Sequence, residues 1–177
     1  MIPETFPLSQ AAPPEHGVDF ERERGVTHVS VRPGVARFSV YCDSPRGSMA
    51  DIFELLAGEK VNLFLIKIHS HCLGFTVDTD DVATVQALCE REGMRYALAR
   101  HCALISVVAP AMRDLSGVLW RIIGSLRDLE VEILELADAY NSVSCLVEEH
   151  QRDRAAQGLA DSFGVEVASE PAPMDPW

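Results

Sequence analysis

Nowhere does this sequence string together the roughly 18 apolar residues that a membrane-spanning helix requires. Residues 1–16 also lack a basic segment followed by an apolar run, so a secretory leader is not expected and a cytoplasmic location is. Positive charge is scarce. With 15 Lys and Arg against 27 Asp and Glu, the formal net charge of −12 opposes contact with phosphate backbones and anionic bilayers. Nucleic acid and membrane are therefore not expected partners. The five cysteines, Cys42, Cys72, Cys89, Cys102 and Cys145, are odd in number and form no CxxC pair, which predicts reduced thiols rather than a disulfide framework. A Ser/His/Asp order, a metalloprotease helix and a phosphate-loop signature are all missing. On these grounds no catalytic residue and no cofactor is expected.

What is present is an ordinary globular composition, 47% hydrophobic and 24% charged, on a chain of 177 residues that is long enough to bury a core. Its two ends differ from its body. Residues 1–25 carry Pro3, Pro7, Pro13 and Pro14 without apolar periodicity and read as an arm; residues 169–177, with Pro171, Pro173 and Pro176, read as a tail.

Between the ends one order of elements occurs twice, at a separation of about 70 residues. The first copy opens at 36–42, where Ala36, Phe38, Val40 and Cys42 alternate with polar neighbours as a half-buried strand does. A turn at 43–48 leads to a helix with Met49, Ile52, Phe53 and Leu56 on one stripe and Gly58 to stop it. Strands at 62–69 and 72–78 follow. Asp80 or Asp81 is then placed to cap a helix whose inner side carries Val82, Val85, Leu88 and Cys89, and a strand at 94–99 closes the copy.

The second copy begins at 103–109 and turns through 112–117 into a helix with Leu115, Val118, Leu119, Ile122, Ile123, Leu126 and Leu129 at inner positions. Strands at 131–137 and 142–148 come next. A helix at 151–163, set inward by Ala155, Leu159, Ala160 and Phe163, and a short strand at 165–168 complete it. Each copy is therefore a βαββαβ unit, an α+β arrangement with helices on one face of an antiparallel sheet. Such a small unit leaves one sheet face bare and gains from a partner, which the other copy supplies.

The second copy also carries a resemblance. Ile105-Ser106-Val107-Val108, Met112-Arg113, Gly117-Val118, Val131-Glu132-Ile133-Leu134 and Val143-Ser144-Cys145-Leu146-Val147 together resemble the last ACT module of aspartate kinases. The first copy is similar to the preceding ACT module through Ile52-Phe53, Lys60-Val61-Asn62 and Gly74-Phe75-Thr76-Val77, and Gly25-Val26-Thr27-His28-Val29 resembles the strand before it. The resemblance implies a tandem ACT (ferredoxin-like) chain. Residues 26–100 would form the first module, 101–168 the second, with strand 26–32 pairing in the second. The segment from Leu136 to Ser142 is closest in pattern to the diaminopimelate-responsive bacterial type. The Lys-Phe-Gly-Gly segment that opens the family's kinase domain is absent, so the chain resembles a regulatory region or regulatory subunit rather than an enzyme.

ACT sites take a free amino acid because a strand-to-helix turn presents unpaired N–H groups and the positive end of a helix dipole to a carboxylate. The resemblance places candidate ligand-binding residues in two turns: Asp43, Ser44, Arg46, Gly47 and Ser48 in the first, and Met112, Arg113, Asp114, Ser116, Gly117 and Val118 in the second, with Asp138 nearby. Glycine there would let a ligand approach the backbone, or would merely serve tight packing. Arg46-Gly47 and Ala109-Pro110-Ala111-Met112 stand where the family has Pro-Gly and Gly-Ala-Gly-Met. The implied partners are an amino acid of the lysine, threonine or meso-diaminopimelate class, a second copy forming a homodimer, and an aspartate kinase catalytic chain. A ligand-free dimerisation protein and a small enzyme on a ferredoxin-like scaffold are the other readings. His69-Ser70-His71-Cys72 spans a strand turn where alternation parts the side chains, so no metal site is expected.

Overall fold

The computed structural model describes residues 25–42, 49–110, 112 and 115–169. Among these, seven strands and four helices follow one another as β1 (His28–Tyr41), α1 (Met49–Gly58), β2 (Phe64–His69), β3 (Cys72–Asp78), α2 (Val82–Arg91), β4 (Tyr96–Val108), α3 (Val118–Asp128), β5 (Glu135–Asp138), β6 (Ser142–Glu148), α4 (Arg152–Phe163) and β7 (Val167–Ser169). All strands join one sheet in the order β2-β3-β1-β4-β6-β5, with β7 beside β1.

The expected strands at 26–32 and 36–42 are fused into β1, and those at 94–99 and 103–109 into β4, so the two copies share two long strands. The junction is irregular: the β1–β4 register shifts between Arg32 and Val35 and again between Val35 and Arg37. Gly34 supplies a positive φ of 66° there, and His101 on β4 one of 56°. Side chains satisfy the Gly34 backbone that no neighbouring strand reaches: its N–H donates to Glu149 Oε2 at 3.2 Å, and its carbonyl accepts from Thr79 Oγ1 at 2.6 Å. Beyond the junction β1 has different neighbours. Val35 to Tyr41 pairs with β3, whereas Val29 to Val31 pairs in parallel with Val167 to Ser169 of β7.

Two helix-covered cores result. Ala36, Phe38, Val40, Ile52, Leu56, Leu73, Phe75, Val77, Val85 and Leu88 fill the first, with the Phe38 and Phe75 rings stacked at 5.7 Å. Val29, Ile105, Val107, Ile122, Leu126, Val143, Cys145, Val147 and Leu159 fill the second. Burying each of the Val, Leu, Ile and Phe side chains among them contributes roughly 1.5–3 kcal/mol. On the helix-free face lies a third, smaller cluster of Val35, Cys102, Leu104 and Leu146, flanked by Leu65, Ala99 and Leu134.

Several expectations need correction. Leu119 and Ile123 are 47% and 45% exposed rather than inner residues of α3, because that helix is apolar on more than its packed side. Asp81 makes no capping hydrogen bond; a 3₁₀ turn at Thr79–Asp81 leads into α2 instead. The strand expected at 131–137 begins only at Glu135. His101 and Cys102, which fall between the two expected copies, lie inside β4.

Candidate functional site

Seven of the expected ligand-binding residues, Asp43, Ser44, Arg46, Gly47, Ser48, Arg113 and Asp114, lie outside the described residues. The structure places the remaining five at one end of the second core. Met112 is buried and its N–H donates to the Tyr140 carbonyl at 3.1 Å, while Ala109 N–H donates to the Asn141 carbonyl at 2.9 Å. These two bonds fasten the turn ahead of α3 to the hairpin between β5 and β6. Asp138, exposed at the end of β5, leads into that hairpin and pairs with Val143.

Gly117 stands at the N-cap of α3 with φ 81°, and Ser116 beside it is exposed. A β-carbon on Gly117 would meet nothing within 4 Å, so glycine is required there by the left-handed backbone rather than by a crowded neighbour. Val118 is buried beneath the helix start. The first-turn N–H groups of α3 have no partner inside the helix, and Gly117 has no side chain to cap them. This end of the fold has the elements for holding a carboxylate.

The three buried thiols are poorly suited to chemistry. Burial pushes Cys145 up to about 12 and Cys89 up to about 11, the latter helped by Glu90. Burial also raises Cys102, against an opposing pull from Arg37. Asp81 is raised by desolvation and by Asp78 and Asp80, while a hydrogen bond from Arg152 lowers Asp153. Among the described residues, no group of three or more His, Cys, Asp and Glu is placed to hold a metal ion, and no helix is long and apolar enough to cross a membrane.

Sequence reasoning missed a groove of about 680 Å³ lined by Val31, Pro33, Arg152, Asp153, Ala156, Gln157 and Val167. It sits where β7 ends beside β1, close to the Gly34 junction. No local pattern could have revealed it, because it depends on β1 passing from one core to the other.

The ACT domain family model matches residues 98–161, which include the second half of β4, the Gly117 turn and most of α4. The chain has an ACT fold. It spans 35% of Bacillus subtilis (strain 168) aspartokinase 1, to which it is 24% identical over 142 residues, 80% of this chain. The ligand-free regulatory subunit of aspartate kinase from Thermus thermophilus superposes with a TM-score of 0.70 at 19% identity, over 78% of this chain and 98% of that one. Aspartate kinase from Synechocystis gives 0.76 at 23% identity, over 85% of this chain and 29% of that one. In fold the chain thus resembles the regulatory region of aspartate kinases.

Proposed function

We propose that this chain is a non-catalytic regulatory protein of two ACT modules, residues 26–100 and 101–168, that binds a free amino acid and passes its occupancy to an aspartate kinase catalytic chain. The observation that carries the reading is the fold, which superposes on the regulatory subunit of aspartate kinase from Thermus thermophilus with a TM-score of 0.70 over 98% of that chain. The ligand would be of the lysine, threonine or meso-diaminopimelate class, its carboxylate at the start of α3 with Ser116, Gly117 and Asp138 around it. Binding energy spent unequally on two arrangements of the modules is what would carry the signal.

A cytoplasmic homodimer formed by ACT–ACT pairing fits this role. Among the described residues β2 is an outer strand that pairs only with β3, and its Ile66 and Ile68 are exposed. A second reading keeps the fold and the dimer without a ligand. It is favoured by the altered turns, in which Arg46 precedes Gly47 and Ala109-Pro110-Ala111 stand where the family has Gly-Ala-Gly.

The test is co-expression with the aspartate kinase catalytic chain of the same organism. Co-elution of the two chains, with kinase activity that changes on adding one of the three amino acids, is the expected result. Separate elution, with activity indifferent to this chain, would remove the kinase from the proposal.

A further inference from the structure

We infer that Glu135 is a latch between the two modules, a buried carboxylate that holds their helix-free faces together. Glu135 lies on β5, at one edge of the sheet, yet its Oε1 is 3.4 Å from Lys67 Nζ on β2, at the opposite edge. Its Oε2 is 3.7 Å from Arg37 Nη1 on β1, and the same Arg37 nitrogen donates to the Leu134 carbonyl at 3.1 Å. The sheet therefore curls far enough for side chains of its two outer strands to meet.

Only 7% of the Glu135 side chain is exposed, whereas Lys67 and Arg37 keep 32% each. A carboxylate this covered needs paired charge, and both of its cations belong to the first module while it belongs to the second. Its Oε1 lies over Gly74 of β3, 3.9 Å from where a β-carbon would stand, so the strand beneath offers it no side chain. Between the closed faces sits the small cluster of Val35, Cys102, Leu104 and Leu146, to which no helix contributes. The other two buried cysteines sit elsewhere: Cys89 in the helix-covered first core and Cys145 in the second.

That distribution gives each region its own reporter. If the latch opens, Cys102 is uncovered while Cys89 and Cys145 stay beneath their helices. The inference stands whether or not an amino acid binds.

The experiment is alkylation of the native full chain with N-ethylmaleimide, read cysteine by cysteine by mass spectrometry, for the wild type, Glu135→Gln and Lys67→Met. Both variants should speed Cys102 modification by about tenfold or more and leave Cys89 and Cys145 at wild-type rates. Arg127→Ala, which breaks an exposed ion pair with Asp128, should change none of the three. An unchanged Cys102 rate, or an equal rise at all three cysteines, would overturn the latch, the first because the carboxylate holds nothing closed and the second because the modules themselves unfold.

Discussion

Val35 lies directly opposite Cys102 in the β1–β4 ladder, and both are buried on the helix-free face at the point where each strand leaves one core for the other. The pair holds the joint of the molecule. Val35→Ala removes two methyl groups from a site with 0% exposure and should cost on the order of 2 kcal/mol in urea unfolding. A loss under about 0.5 kcal/mol, the range of ordinary surface changes, would mean that the cluster contributes little to the joint.

Thr76 presents the opposite case. Its residue is fully buried on β3 opposite Arg37, and its Oγ1 has no hydrogen-bond partner. An unpaired buried hydroxyl costs about 1–3 kcal/mol. Thr76→Val keeps the shape and discards the polar atom, so the midpoint of denaturation should rise. A fall would show that the hydroxyl is satisfied in solution.

Much of this architecture was legible beforehand, for reasons that individual residues make plain. Ala36, Phe38 and Val40 alternate because one face of their strand is buried, and Ile122 with Leu126 recur at helical spacing because one side of α3 packs. The fusion of strands was not legible. Pro33 and Gly34 fall in the gap between the two expected strands, and only the tertiary pairing of Val35 with Cys102 makes that gap an irregularity within a longer strand. The Glu135 contacts with Lys67 and Arg37 were hidden for a similar reason, since they link residues 68 and 98 positions apart through the curl of the sheet. At the candidate site the glycine was found but its reason was not: φ at Gly117, rather than crowding, decides it.

Thiol titration gives stability a defined alkaline limit. Cys89 and Cys145 are raised from 9.0 to about 11 and about 12, so the folded state keeps its protons at a pH where the unfolded chain loses them. Their contribution is complete below pH 9 and declines as pH rises toward 11 and 12. Replacing Cys145 with alanine should flatten that decline in denaturation curves taken across this range. An equally steep decline in the variant would assign the effect to other groups.

Gly117→Ala tests the turn without adding a clash. The left-handed conformation at φ 81° should cost a residue with a β-carbon about 1–2 kcal/mol, although nothing stands in its way. Circular dichroism should show an intact fold with a lowered melting temperature. Unchanged stability would mean that the turn relaxes into another conformation.

The proposed function requires that the folded chain hold a free amino acid. The direct measurement is thermal melting of the purified protein with lysine, threonine, methionine and meso-diaminopimelate at millimolar concentrations. A ligand present at a hundred times its dissociation constant adds about 2.7 kcal/mol, which for a chain of this size raises the melting temperature by roughly 5–10 °C. A shift of that order with lysine, threonine or meso-diaminopimelate, and not with methionine, is the predicted result; four superimposable melting curves would contradict the account.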